Sequence, residues 1–349
     1  MKEQRIARWQ SLPLLLSAQW LRRRSLINRA LLDILADGQF HSGEEIGAAL
    51  GISRAAVWKQ LQKLEAVDVP LESIKGRGYC VPGGLNLLDP SAVKAALPQG
   101  AAGLADQLTI VPSVDSTNSL ASQALENGSG HGASFVAEHQ SAGRGRRGRQ
   151  WLSPFARSLY LTTIWEFTNG AAALEGLSLS VAVAVARALR RYGIDGLALK
   201  WPNDVLAGDK KLAGILLEMQ GDPAGLCQVL VGIGLNVDLR GCQTDSIERP
   251  WVDLRSVADV EPERNELLAK LLVELATVYR EFAGGGFGVH RDEWLALDAY
   301  KDTPVSIQLG EEWVNGIARG VDAGGGLMLD VDGVNRTFYG GEVSLRAGR

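Results

Sequence analysis

Between Gly143 and Arg149 three glycines are interleaved with four arginines. Guanidinium groups grip phosphate and carboxylate oxygens in bidentate fashion, and glycines let a backbone close around them. The segment is therefore expected to be a loop that moves when empty and folds around a polyanion; a merely solvated loop is the plainer alternative. It matches G-x-G-x-x-G formally, but that fingerprint needs a helix to open inside it, whereas Trp151, Pro154 and a strand pattern follow here. A phosphate loop is excluded as well, because Arg149-Gln150 stands where Lys-Ser/Thr is required. Three other segments carry polar groups of chemical interest. Lys200-Trp201-Pro202-Asn203-Asp204 and Lys210-Lys211-Leu212-Ala213-Gly214 fall at a strand end and at the start of a return strand, so their side chains are expected to meet at one edge of a sheet. In Asp115-Ser116-Thr117-Asn118, taken alone, the serine is better read as a helix cap. The glycines of Gly232-Ile233-Gly234-Leu235-Asn236 either admit a ligand close to the backbone or mark a bend.

The elements that must position these groups are legible in the periodicity. Residues 26–66 read as three short helices. Ser42 and Glu45 have capping-box spacing, Gly51 ends that helix, and Ser53 caps a helix with apolar positions at Val57, Leu61 and Leu64. A glycine-hinged hairpin over 71–81, with Lys75 and Arg77 at its tip, completes a winged helix-turn-helix. Pro82-Gly83-Gly84 marks a linker, and Asp89-Pro90 opens a helix. Strands are expected at 108–111, 134–138, 158–165, 197–201, 205–219 (a hairpin) and 228–236, with helices at 116–126, 172–192 and 264–282. Five short strands after residue 302 suggest a small β-barrel. The fold class is mixed α/β (α+β), with a winged helix in front and a small barrel behind.

Composition bounds the function class. A hydrophobic content of 46% suffices for several cores in a chain of 349 residues. Net charge is −4, but residues 1–82 hold 12 Lys+Arg against 8 Asp+Glu, and the remainder 24 against 32, a basic front module at most weakly marked because residues 1–24 supply 6 of the basic groups. Cys80, Cys227 and Cys242 lie far apart, so neither a disulfide scaffold nor a structural zinc is expected, and no resident metal is assigned. Lys2, Arg5 and Arg8 before the apolar run Leu12 to Ala18 imitate a signal peptide. Pro13 interrupts that run, no small-x-small site follows, and Arg22, Arg23 and Arg24 come next; an extra amphipathic helix or a late start codon is the expected reading. No membrane span is expected, and the default address is the cytoplasm.

Taken in order, DSTN at 115–118, GRGRRG at 143–148, KWPND at 200–204, KLAGIL at 211–216, GIGLN at 232–236 and GGEVSLR at 340–346 resemble the biotin protein ligases, specifically the bifunctional group that also represses the biotin operon. The resemblance runs from about Ser25 to Leu345. It implies an extension at 1–24, a winged helix at 25–84, a ligase domain at 85–301 and a terminal barrel at 302–349. In that family the central sheet carries helices on one side, with biotin and adenylate in loops at the sheet edge. Carried over, the resemblance implies that Ser116, Thr117, Asn118, Gln140, Arg144, Gly145, Arg146 and Lys211 hold biotin. Arg144, Arg146, Lys211, Asn236 and Trp251 then lie by ATP or the adenylate. His139 replaces the more usual aromatic beside Gln140, and the stretch from the DNA domain to DSTN is several residues longer than usual.

The implied reaction is ATP-dependent formation of biotinyl-5'-AMP, followed by transfer to a lysine of the biotin carboxyl carrier protein of acetyl-CoA carboxylase. A carboxylate must approach an α-phosphate while negative charge grows toward leaving pyrophosphate. Lys211 and Arg146 answer that need, with Mg2+ bridging the phosphates. Asp204 would orient or deprotonate the acceptor lysine, or is only a turn aspartate. Ser53, Arg54, Trp58, Lys59, Gln62, Lys75 and Arg77 are the candidate DNA contacts on biotin operator DNA, although Trp58 is equally open to packing at the domain surface. Adenylate-promoted homodimerisation would present two winged helices to two half-sites. Two readings stay open beside this one: a monofunctional ligase with a vestigial DNA domain, and a non-catalytic biotin-sensing regulator.

Overall fold

The computed structural model describes residues 27–347 except 68, 169, 171–173, 223–224, 248, 260, 310–311 and 340–342. The extension at 1–24 and the first three residues of GGEVSLR lie outside the described residues. The front module starts with α1 (Arg29–Leu35), α2 (Gly43–Leu50) and α3 (Arg54–Glu65). Its boundaries follow local chemistry. Glu45 N donates to Ser42 Oγ at 3.1 Å while Ser42 N donates to Glu45 Oε2 at 2.7 Å, a complete capping box, and Gly51 leaves α2 in the left-handed region at φ 66°. Val57, Leu61 and Leu64 are buried with Leu31, Leu32, Leu35 and Ile46. Strands β1 (Glu72–Ile74) and β2 (Gly78–Cys80) form the wing, which is sewn to His41 by reciprocal backbone bonds between His41 and Tyr79, both 2.9 Å. Gly78 has φ 108°, and a Cβ there would overlap the His41 carbonyl, so the close crossing requires glycine.

The central domain opens with α4 (Pro90–Ala96), capped by Asp89, and contains β3 (Leu108–Val111), α5 (Thr117–Glu126), β4 (Ser134–Ala137), β5 (Ser158–Phe167), α6 (Leu177–Arg191), β6 (Leu197–Lys200), β7 (Asp204–Ala207), β8 (Lys210–Gly221), β9 (Cys227–Asn236) and α7 (Arg264–Gly285). Its seven strands order as β3-β4-β5-β9-β8-β7-β6, with only the β3–β4 pair parallel. Alternation along β9 sends Val229, Val231, Ile233 and Leu235 into the core shared with α6 and α7, and leaves Gly232, Gly234 and Asn236 on the other face. That other face is partly covered, since Leu120 and Ala121 of α5 pack on Phe135, Ile164 and Leu230. Helices thus lie on both faces. Helix α6 begins at Leu177 rather than near 172, after Gly176 in the left-handed region at φ 73°, packed so tightly on Phe287 that no Cβ fits.

The terminal segment forms a five-stranded antiparallel sheet, β13-β12-β11-β10-β14, from β10 (Pro304–Leu309), β11 (Glu312–Val321), β12 (Leu327–Val331), β13 (Val334–Phe338) and β14 (Val343–Ala347). Val305, Ile307, Leu327 and Leu329 join the central core, and Trp201 Nε1 donates to Gly325 O at 2.9 Å. The winged helix is held just as directly. Phe155 and Ala156, between the arginine loop and β5, are buried in its core. The linker strand is pinned by a buried ion pair: Arg264 donates to Glu138 Oε2 at 2.7 Å and to Asn86 O at 2.6 Å, and Glu138 Oε1 accepts from Leu88 N at 2.7 Å. Arg264 and Glu138 side chains are both 1% exposed; Arg264 also donates from its second terminal nitrogen to Ser158 O at 2.8 Å, while its Nε has no hydrogen-bond partner among the described residues.

Candidate functional site

Ser116, Thr117 and Asn118 sit at the N-terminus of α5, above β5, β8 and β9. Ser116 occupies the N-cap position, yet its side chain makes no capping bond; it lines a slot instead, which decides against the cap reading. Thr117 donates from N and Oγ1 to Gln140 Oε1 at 2.8 and 3.1 Å, and Gln140 Nε2 donates to Ser153 Oγ at 2.9 Å. Asn118 Oδ1 accepts from the buried Thr162 Oγ1 at 2.6 Å, and its Nδ2 donates to Glu218 Oε2 at 2.9 Å. The GIGLN glycines have a definite purpose. A Cβ at Gly232 would overlap Asn118 Oδ1, and one at Gly234 would overlap the Trp151 indole. Gly214 on β8 is equally close, with Lys211 Nζ and Trp151 Cζ3 each 2.9 Å from where its Cβ would stand. The glycines therefore hollow the open face of two interior strands. The 200–204 turn between the edge strand β6 and β7 meets Lys211 at the start of β8, as expected, and the hollow they border reaches inward over β8 and β9.

The arginine loop folds over this hollow as a tight turn, Gly145 N donating to Arg149 O at 2.7 Å, with Arg147 at φ 59°. No helix opens within it beyond a single 3-10 turn at Arg146–Gly148, consistent with rejecting the dinucleotide fingerprint. Arg144 pairs with Glu218 at 2.9 Å, and Arg146 donates to Asn203 Oδ1 at 3.3 Å. Burial, and then the cation of Arg147, lower the Arg146 guanidinium below its usual value. Asn203 fastens KWPND to β8, its Nδ2 donating to Ile215 O at 2.8 Å and its carbonyl accepting from Ile215 N at 3.0 Å.

Lys211 is central. Its backbone is gripped from both sides, donating to Pro250 O at 3.0 Å and accepting from Val252 N at 3.0 Å, which brings Trp251 alongside. Its Nζ lies 2.5 Å from Asp204 Oδ1 and 5.2 Å from the Trp151 ring centroid. The contact with Asp204 is a charge approach, since Oδ1 has no aligned hydrogen-bond donor. Arg249 reaches the other carboxylate oxygen at 3.9 Å. Asn236 Nδ2 donates to Val252 O at 3.0 Å, closing the segment over the end of β9. Two spaces meet at Lys211, Arg146 and Trp151. One is a narrow slot of about 50 Å³ beside Ser116, Thr117, Asn118, Gln140 and Arg144, and the other a cleft of about 400 Å³ bounded by Asp204, Asn236, Arg249 and Trp251. The slot suits a slender ligand with hydrogen-bonding edges. The cleft has the size, arginines and aromatic wall of a nucleotide site.

The sequence reading brought the right segments together but missed Trp151, Thr162, Asn203, Glu218 and Arg249 as site residues. Asn203 was visible inside KWPND and Trp151 directly after the loop. Thr162 and Glu218 carry no local signal, because only strand pairing places them under Asn118. His139 beside Gln140 turns outward to Ser113 Oγ, 2.8 Å from its Nδ1, and leaves Gln140 undisturbed.

On the winged helix, Trp58, Lys59 and Gln62 are exposed on α3 away from its core stripe, and Arg54 is exposed in its first turn beside Gly43 of α2. Among the described residues Trp58 is 55% exposed, so more than half of the side chain is open. Ser53 spends its hydroxyl on capping, accepting from Ala56 N at 3.3 Å. Lys75 is exposed on the wing, and Arg77 lies 4.2 Å over the Phe40 ring. Among the described residues, no helix is long and apolar enough to cross a membrane.

Comparison with known proteins agrees in all three regions. Residues 110–236 match the model of the Biotin/lipoate A/B protein ligase family, residues 28–80 that of an HTH domain, and residues 303–346 that of the biotin protein ligase C terminal domain. The chain is 40% identical to the bifunctional ligase/repressor BirA of Salmonella typhimurium, over 91% of this chain and 97% of that protein, and 38% identical to that of Escherichia coli, over 91% and 96%. The biotin protein ligase from Aquifex aeolicus in complex with biotin and ATP superposes with a TM-score of 0.61 at 30% identity, covering 69% of this chain and 99% of that one. Similarity of this extent, across front module, ligase core and terminal sheet alike, means that the chain belongs to the biotin protein ligase family, in its bifunctional ligase/repressor group.

Proposed function

We propose that the protein activates biotin with ATP as biotinyl-5'-AMP, transfers it to a lysine of the biotin carboxyl carrier protein of acetyl-CoA carboxylase, and represses biotin-synthesis genes from operator DNA. The observation that carries the enzymatic reading is the junction at Lys211 and Arg146, where the polar slot and the nucleotide-sized cleft share both cations. In this reading Ser116, Thr117, Asn118 and Gln140 orient biotin, and its carboxylate points at Lys211. ATP, entering with Mg2+ across its phosphates, occupies the cleft beside Asn236 and Trp251. Carboxylate oxygen attacks the α-phosphorus and pyrophosphate leaves, while Lys211 and Arg146 offset the charge that develops. Asp204 holds Lys211 in place, then orients or deprotonates the acceptor amine, which attacks the acyl carbon and expels AMP.

Repression uses α3 in the major groove, with Arg54, Trp58, Lys59 and Gln62 toward the bases and Lys75 and Arg77 on the backbone. Ordering of the arginine loop by the adenylate favours a homodimer, which sets two winged helices on two half-sites. The working modules are 25–84 for DNA, 85–301 for ligation and 302–349 as the terminal domain, acting in the cytoplasm. Incubation with ATP, biotin and a carrier domain, read by mass spectrometry, tests the ligase: one biotinyl group should appear on the carrier, and no pyrophosphate release would refute it. Sedimentation and gel shift with a non-hydrolysable adenylate analogue test the switch, and an unchanged monomer-dimer constant would refute it.

A further inference from the structure

Glu218 has no place in the reaction as written, yet it joins two parts of the site. It lies on β8, on the same face as Gly214 and Leu216, and stands behind the slot that Asn118 and Arg144 line. A single oxygen, Oε2, accepts from Asn118 Nδ2 and from the Arg144 guanidinium, both at 2.9 Å. Asn118 cannot shift to follow the loop. It is 3% exposed, its Oδ1 is held by Thr162, and its amide lies against Gly232, where even a Cβ would collide. The carboxylate is therefore anchored to the sheet through Asn118. Arg144, by contrast, has a side chain 44% exposed and belongs to a loop flanked by Gly143 and Gly145.

We infer that Glu218 is a positioning residue, a fixed post on which Arg144 latches the arginine loop, so that this ion pair sets how long biotin and its adenylate are retained. The inference rests on the biotin-site reading above and deepens it. It assigns the two arginines different tasks: Arg146, bonded to Asn203 at the junction with the cleft, faces the reacting phosphate, while Arg144 acts as the clasp. An exposed ion pair alone contributes little, but here the shared oxygen also fixes a buried amide, and a charged acceptor strengthens both bonds.

The test compares the parent chain with Glu218→Gln, Arg144→Met and the double variant, measuring biotin-dependent pyrophosphate release and the dissociation rate of preformed biotinyl-5'-AMP. Glu218→Gln should speed dissociation and raise KM for biotin by about fivefold, with kcat at saturating biotin changed less than about twofold, the scale of one partly exposed charge-assisted contact, and Arg144→Met, which also removes a group lining the slot, should speed dissociation at least as much. The double variant should be no worse than the poorer single one, because both remove the same latch. Added salt should shorten retention more in the parent than in the variants. Parental dissociation in Glu218→Gln, or effects that simply multiply in the double variant, would overturn the inference. If Glu218→Gln fails to fold, Glu218→Asp, which keeps the charge and withdraws it from Arg144, decides it by its dissociation rate. A parent that releases no pyrophosphate would bring down the site reading and the inference together, whereas an active parent with unaltered variants overturns the inference alone.

Discussion

Replacing Lys211 by Met separates what this residue does for the reaction from what it does for the fold. Met keeps an unbranched side chain only one atom shorter and removes the ammonium, its charge and its three N–H donors. The strand position should survive, because it is set by the backbone bonds of Lys211 to Pro250 and Val252, each 3.0 Å. A single donor or charge aimed at a developing oxyanion is worth roughly 3 kcal/mol or more, and at 1.36 kcal/mol per factor of ten this predicts a loss of at least about 100-fold in pyrophosphate release. Stability responds through Asp204, whose side chain is only 8% exposed and loses the cation at 2.5 Å, keeping Arg249 at 3.9 Å. A fully buried pair cut on one side costs about 3–5 kcal/mol, and because Lys211 is about a quarter exposed the cost here should be nearer 1–2 kcal/mol. The double variant Lys211→Met/Asp204→Asn, which removes the orphaned charge, should regain most of that stability and none of the rate. Pyrophosphate release at saturating ATP and biotin, together with urea midpoints at constant m, reads both effects. A folded Lys211→Met protein within about tenfold of the parental rate would refute the placement of this cation at the reacting phosphate.

Arg146→Gly should loosen retention of the adenylate and let it acylate lysines outside the carrier; strict carrier biotinylation with parental adenylate dissociation would contradict this. Gly234→Ala should displace Trp151 from its seat on β9, costing about 1–3 kcal/mol in the manner of an overpacked core and weakening biotin binding, as thermal melts and biotin titration would reveal. Arg264→Met leaves the buried Glu138 carboxylate without its cation and should cost about 3–5 kcal/mol in denaturant unfolding, with Arg264→Met/Glu138→Gln recovering much of it; a neutral single variant would remove the ion pair as the clamp on the linker. Arg54→Ala should weaken operator binding at matched salt and leave ligation untouched, since Arg54 is exposed in the first turn of α3 and equal affinity would count against its contact with DNA.

Much of this protein was determined within short windows of its chain. Ser42 with Glu45, Gly51 and Ser53 set the winged-helix boundaries because a cap or a left-handed glycine acts over three or four residues. The apolar run over 228–236 likewise marks a buried strand, and the ordered motifs identify the family. What lay beyond such windows was the pairing of distant groups. Arg264 and Glu138 are 126 positions apart and Asn118 and Glu218 are 100 apart. Phe155 enters the core of another module, and the hollow that the polar segments border reaches inward from the edge over the interior strands β8 and β9. Period-two alternation tells which residues share a face of one strand but not which strands are neighbours. The order β5-β9-β8, a tertiary choice, is what sets Thr162 beside Gly232, with Glu218 two residues further along the neighbouring strand, beneath Asn118 and makes a hollow for the ligand.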